Sequence, residues 1–128
     1  NDPRIAIAAL NPHAGEGGAF GIEEIEVIMP AVVAARARQL RVEGPFPSDT
    51  VFPRAIGGAF DGVVTMFHDQ GQIALKLIGL GQGITLLAGF PVPIATPGHG
   101  TAFDIAGTGQ AKVEGLAAAV SLVARMMR

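Results

Sequence analysis

The chain has no cysteine, no tyrosine and no tryptophan. Without cysteine there is no disulfide framework, no thiol nucleophile and no thiolate metal site. That suits a reducing cytoplasm, the compartment expected for it. Phe is the only aromatic, so platforms for stacking nucleic-acid bases have little to be built from. Charge is sparse: 16% of the 128 residues are charged and the net charge is −2, which offers nucleic acid no basic surface. No apolar run is long enough to span a bilayer. The stretch 84–96 is apolar, but it is short and broken by proline and glycine, so no membrane partner is expected. No secretory signal is present. No GxGxxG follows a strand and opens a helix, and the glycines at 79–83 and 107–109 are too few and wrongly placed for one. Ser48 and Ser121 sit in no nucleophile elbow, which argues against a serine hydrolase.

Hydrophobic residues make up 49% of the chain, ample for the core of one domain or a large part of one. It opens Asn1-Asp2-Pro3 and enters a strand at once, as expected of a piece of a longer chain. Residues 4–10 (RIAIAAL) predict a short strand buried on both faces. Residues 22–39 predict a helix, with Glu23, Glu24 and Glu26 near its positive end and Arg36 and Arg38 near its negative end. Pro30 must kink that helix or start a second one. Val42 lies in a short extended piece, residues 44–47 (GPFP) predict a turn, and Ser48 or Asp49 is placed to cap a short helix.

Residues 61–67 (DGVVTMF) predict the best strand, and residues 72–78 a helix after it. Two extended segments follow at 84–88 and 91–95, the second placed near an edge or crossover by its prolines. A glycine-rich loop at 98–109 leads to a terminal helix over 110–128. This alternation of strand and helix predicts an α/β fold with a largely parallel core. Ligands then belong at the carboxyl ends of the strands.

All three histidines fall in glycine-rich stretches: His13 in NPHAGEGG, His68 in FHDQG and His99 in GHGTA. Loops at strand ends concentrate binding and chemistry. Two neutral imidazoles hold a divalent metal well when a carboxylate or third histidine completes the set, and Asp69 and Glu16 stand nearby. Either histidine can instead serve only to hydrogen-bond its loop. Lys76 follows Asp69 and Gln72 at helical spacing and is suited to an anionic substrate or to proton transfer. A solvated surface lysine is the plainer alternative, although its apolar flanks predict partial burial. The loop from Gly98 to Gly107 is able to cradle phosphates or ribose with main-chain N–H groups, with Asp104 accepting ribose hydroxyls. A plain long connection is the alternative.

Four strings, LNPHAGEGG (10–18), GPFPSDT (44–50), FHDQG (67–71) with Lys76 after it, and HGTAFDIAG (99–107), resemble the 4-hydroxythreonine-4-phosphate dehydrogenase (PdxA) family. They occur in the family's order and spacing over nearly the whole chain. The resemblance implies an α/β fold of the isocitrate/isopropylmalate dehydrogenase type, α/β/α with a mixed, largely parallel sheet, here a fragment of a two-domain enzyme. Residues 1–83 would belong to the metal-binding and dimerisation domain, and 84–128 to the NAD-binding domain.

The same resemblance implies a dehydrogenase that uses NAD (or NADP) and a divalent metal such as Zn, Mg, Mn or Co. It would oxidise a secondary alcohol of a small acidic substrate, with decarboxylation. His13 and His68 would be metal ligands, the third histidine lying upstream of this chain. Asp69 and Lys76 would be catalytic, Lys76 also contacting substrate. His99, Gly100, Thr101, Ala102 and Asp104 would face the cofactor. Family members are homodimers that share the site between subunits.

The chain departs from the family at two substrate-binding positions. Thr85 stands where members carry Asn, and Ile94 where they carry Arg. Losing the Arg removes a bidentate partner for phosphate or carboxylate. It points toward a family branch acting on other acids, such as the terephthalate cis-dihydrodiol. A catalytically silent piece serving dimerisation and cofactor-loop roles is the rival from another class.

Overall fold

The computed structural model describes residues 2–79 and 83–127. Residues 80–82, within the glycine cluster set aside as a fingerprint, and Arg128, at the end of the expected terminal helix, lie outside the described residues. The chain divides into two compact units, Asn1–Ala74 and Leu75–Arg128.

The first unit is built on three parallel strands in the order β2–β1–β3. Strand β1 (Ile5–Ala8) pairs with β2 (Val42–Phe46) on one side and β3 (Gly62–Val64) on the other. Ala6 and Ala8 of β1 are fully buried, while Ile5 and Ile7 are partly covered, so one face of the strand is sealed more completely than the other.

Helix α1 (Met29–Ala37) links β1 to β2 and follows a wider, π-type turn at Glu24–Ile28. Pro30 sits in the first turn of α1, where its missing N–H costs no hydrogen bond, so the chain starts a new helical segment there as expected. Helix α2 (Ser48–Ile56) covers β1 and β3. Val51, Ala6, Ala8 and Phe60 form the core, with Phe46, Phe52, Ala55 and Val63 packed against it. The Arg54 guanidinium lies 4.3 Å from the centre of the Phe46 ring and 5.0 Å from that of Phe60, a cationic cover for two aromatic faces.

Residues 44–46 are strand rather than the expected turn. Proline withholds an N–H that an edge strand such as β2 does not need. Gly44, at φ +128, passes so near β1 that a Cβ would lie 2.5 Å from the Ile7 carbonyl oxygen. Ser48 and Asp49 do not cap α2. Pro47 holds the cap position without a side-chain bond, and Ser48 Oγ donates instead to the Ala9 carbonyl at 2.9 Å.

Asp61 ties the starts of β1 and β3, accepting from Arg4 N (2.8 Å), Nε (3.0 Å) and Nη2 (3.1 Å). The Arg4 side chain, and then its main-chain N–H, hold the Asp61 carboxyl down to about 2.

Helix α3 (His68–Gly79) begins four residues earlier than the glycine at position 71 suggested, so His68 and Asp69 open a helix and do not hang in a loop. In the second unit, β4 (Ile84–Leu87) and β5 (Ile94–Pro97) pair antiparallel, with helix α4 (Glu114–Met126) packed on them. Pro91 and Pro93 precede β5 and do not lie within it, so the strand starts three residues later than expected. No helix among the described residues is long and apolar enough to cross a membrane.

Candidate active site

Strands β1 and β3 are neighbours and run the same way, so their carboxyl ends lie side by side. His13 follows the end of β1, and His68 follows the end of β3. The chemistry-bearing residues of the first unit therefore gather at one sheet edge, where the strand rhythm placed them.

The chain after β1 takes an unusual course. His13 (φ 54, ψ 29), Ala14 (φ 54, ψ 41), Gly15 (φ 76, ψ −10), Glu16 (φ 43, ψ 55) and Gly17 (φ 67, ψ 19) form a continuous left-handed turn. For an L-residue that conformation costs about 1–2 kcal/mol, and three of these five are not glycine. Main-chain bonds from Ala19 N to the Glu16 carbonyl and from Phe20 N to the Gly15 carbonyl close the turn, and Glu24 anchors the segment that leads into it. Among the described residues Glu24 is the one buried charged side chain, 4% exposed.

Glu24 Oε1 accepts from the main-chain N–H groups of Leu10 (2.8 Å) and Asn11 (2.7 Å), and Oε2 accepts from Asn11 Nδ2 (2.9 Å). Burial pushes this carboxyl up, but the hydrogen bonds from Asn11 and Leu10 outweigh it and hold the group below its ordinary value. Gly15 completes the fit, because a Cβ there would stand 2.7 Å from Glu24 Oε2. Glu24 is thus more than a charge near a helix end. Sequence periodicity could not show it, since the acceptor and its donors are 13 and 14 residues apart.

His13 is exposed, its ring 6.0 Å from that of Phe20. It lines a cavity of about 320 Å³ with Leu10, Asn11, Pro12, Ser48, Asp49 and Gln70. His68 and Asp69 line a second hollow of about 520 Å³ with Phe67, Gln70 and Ile73. Gln70 is common to both walls. The His68 Nδ1–H donates to Asp69 Oδ1 at 2.8 Å. A neutral imidazole that donates from Nδ1 keeps its lone pair on Nε2, the arrangement in which a carboxylate orients a metal-binding imidazole. Both side chains are well exposed, 78% and 83%, so the pair adds little stability and its value lies in orientation.

Two imidazoles, one of them beside a carboxylate, are donors that suit Zn or a similar divalent ion. Among the described residues no three His, Asp or Glu stand close enough to hold one by themselves. Asp49, considered from sequence only as a helix cap, belongs to the His13 cavity wall.

Lys76 lies on α3 two turns after Asp69 and is exposed, contrary to the partial burial its apolar flanks suggested. Those flanks are exposed as well: Leu75 by 40% and Leu77 by 74%. In the second unit, Thr85 pairs with Thr96, and Leu87 with Ile94. Side chains alternate along a strand, so Thr85 and Ile94 share one face of the hairpin as diagonal neighbours.

His99, Gly100 and Ala102 line a cavity of about 490 Å³ with Ile105, Gln110, Ala111 and Lys112. His99 Nδ1–H donates to the Gly100 carbonyl at 2.9 Å, and Ala102 turns the chain at φ 48. Asp104 is exposed in a short 3-10 turn at Phe103–Ile105; it and Thr101 are not among the residues lining that cavity.

Residues 1–123 match the family model described as pyridoxal phosphate biosynthetic protein PdxA. The chain is 52% identical to a 4-hydroxythreonine-4-phosphate dehydrogenase of Klebsiella pneumoniae whose crystal structure it matches with a TM-score of 0.82, over 95% of this chain and 37% of that one. It is 51% identical to the D-threonate 4-phosphate dehydrogenase of Salmonella typhimurium, over 97% of this chain and 38% of the relative. A terephthalate 1,2-cis-dihydrodiol dehydrogenase of Burkholderia xenovorans is more distant, at 32% identity and a TM-score of 0.63, over 94% of this chain and 38% of that one. The chain therefore spans under two-fifths of the length of the relatives it matches. The α/β architecture, the four motifs in order and this match agree: the chain belongs to the PdxA family.

Proposed function

We propose that this chain forms part of the active site of a metal- and NAD-dependent dehydrogenase. The substrate is a small phosphorylated hydroxy acid of the 4-phosphohydroxythreonine or D-threonate 4-phosphate kind, and the β-keto acid formed loses carbon dioxide. The observation that carries this is the placement of the His13 turn and the His68-Asp69 pair beyond the carboxyl ends of adjacent parallel strands, in two hollows that share Gln70.

His13 and His68 are the metal ligands in this proposal. A divalent ion there would act as a Lewis acid on the reacting oxygen, while NAD would accept the hydride. Asp69 engages the His68 ring at Nδ1, which leaves Nε2 for the metal in this reading. It is also the carboxylate best placed beside the histidines to take a proton. Lys76, exposed on α3, offers a cation to the acidic groups of the substrate. The main chain around Gly100 and Ala102 lines the cavity suited to the cofactor. The third metal ligand and the second half of the site come from outside this chain, in a homodimer.

Thr85 and Ile94 favour a second reading. They give the hairpin an uncharged face where the family carries Asn and Arg, and the ring of an aromatic cis-dihydrodiol suits such a face, its carboxylates being held elsewhere. The higher identity and TM-score with the phosphate-ester enzymes support the first.

The test is NADH formation by a full-length enzyme carrying this chain. The substrates are 4-phosphohydroxythreonine, D-threonate 4-phosphate and a carboxylated cis-dihydrodiol. Turnover of either phosphate ester is expected. Turnover of the dihydrodiol alone would move the assignment to the second reading, and turnover of none would refute both.

A further inference from the structure

We infer that Gln70 is a positioning residue that sets the separation of His13 and His68. The assignment rests on the proposed metal role of those two histidines.

The main-chain ladder between β1 and β3 stops at Ile7 and Val64. Both histidines lie beyond that point, where strand pairing no longer fixes one chain against the other. The Gln70 amide takes over there. Its Oε1 accepts from the main-chain N–H of Met66 (2.9 Å) and Phe67 (3.0 Å), which follow β3. Its Nε2 donates to the Ala9 carbonyl (3.0 Å), just past β1, and to Ser48 Oγ (2.8 Å), at the start of α2. Ser48 Oγ in turn donates to the same Ala9 carbonyl at 2.9 Å, closing a triangle.

The acceptor end of this one side chain thus grips the segment leading into His68. The donor end grips the segment leading into the His13 turn. The acceptor end bonds nearby N–H groups, and the donor end reaches groups far off in the chain: Ala9 is 61 residues from Gln70, and Ser48 is 22. Gln70 also stands in the walls of both histidine cavities. No other natural side chain of this length offers two acceptor lone pairs at one atom and two donors at its neighbour without a charge.

Gln70→Glu keeps the acceptor end but faces Ala9 and Ser48 with an oxygen. Gln70→Met keeps the length and loses every bond. Ser48→Ala removes one side of the triangle and is the mildest of the three. The experiment measures, in full-length enzyme, the dissociation constant for Zn²⁺ by chelator competition and the visible absorption of the Co²⁺ form. The melting midpoint of the metal-free protein is recorded alongside, with His13→Ala as the control.

Gln70→Glu and Gln70→Met are expected to weaken Zn²⁺ about 10–100-fold and to shift the Co²⁺ bands, as loss of a group that orients ligands does. Ser48→Ala is expected to weaken it less, with the shift in the same direction. A merely structural glutamine would lower the midpoint and leave affinity and spectrum alone. Unchanged affinity and spectrum in both Gln70 variants, beside metal loss in His13→Ala, would overturn the inference and leave the metal role standing. Metal retained in His13→Ala would overturn the metal role and the inference together. If neither Gln70 variant folds, Ser48→Ala decides, and an unchanged Co²⁺ spectrum there counts against the inference.

Discussion

His13→Gly is expected to cost a full-length enzyme about a thousandfold in metal-dependent turnover while leaving its melting midpoint nearly unchanged. The two halves of this result have separate causes. The ring is exposed, so its removal empties no core. At φ 54 the backbone of residue 13 is strained for any residue with a Cβ. Glycine relieves about 1–2 kcal/mol of that strain and gives back about 0.5–1 kcal/mol in chain entropy. Activity has no such compensation. Lewis-acid stabilisation is worth several kcal/mol, and each 1.36 kcal/mol is about tenfold in rate. Stopped kinetics beside a thermal melt measure both. A fall of less than about tenfold in turnover would show that His13 is not a ligand.

Glu24→Ala is expected to destabilise the protein by about 2–5 kcal/mol and to abolish the ordered His13 turn. It strands the main-chain N–H groups of Leu10 and Asn11, and an unsatisfied buried donor costs about 1–3 kcal/mol. The left-handed residues 13–17 then lose the anchor of the segment that leads into them and keep only the main-chain bonds at Gly15 and Glu16. Glu24→Gln keeps an oxygen for both N–H groups and is expected to cost about 1 kcal/mol. The sign of the pH effect follows from the lowered carboxyl. Its contribution is complete above the ordinary value of 4.5 and disappears as the pH falls through the depressed one. Melts from pH 7 down to 3 are therefore expected to show a steeper acid loss in the parent than in Glu24→Ala, which keeps only the part that other carboxylates such as Asp61 contribute. Equal slopes for the two would show that the carboxylate is not ionised in the turn.

The parallel sheet was readable because its strands are short apolar runs separated by helical stretches, and β1 and β3 came out where the runs were. Strand β2 was not, because GPFP has the composition of a turn. Its extended course depends on Gly44 fitting against Ile7, a contact 37 positions away in the chain. The start of α3 was hidden by Gly71, which weakens a helix locally but here sits in its first turn. His13, His68 and Asp69 were visible as candidates by residue type and loop composition. The side chains that place them were not. Glu24 looked like a charge suited to a helix start, and Gln70 like one more polar loop residue. What each does depends on main-chain N–H and C=O groups that only the folded sheet edge brings to them.

The most direct measurement is the NADH absorbance produced by a full-length enzyme carrying this chain, first stripped with a chelator and then given one divalent ion per site. No turnover of the phosphorylated substrate is expected after stripping, and it is expected to return on adding Zn²⁺, Mn²⁺ or Co²⁺. Full turnover by the stripped enzyme would contradict the metal role of His13 and His68 at its root.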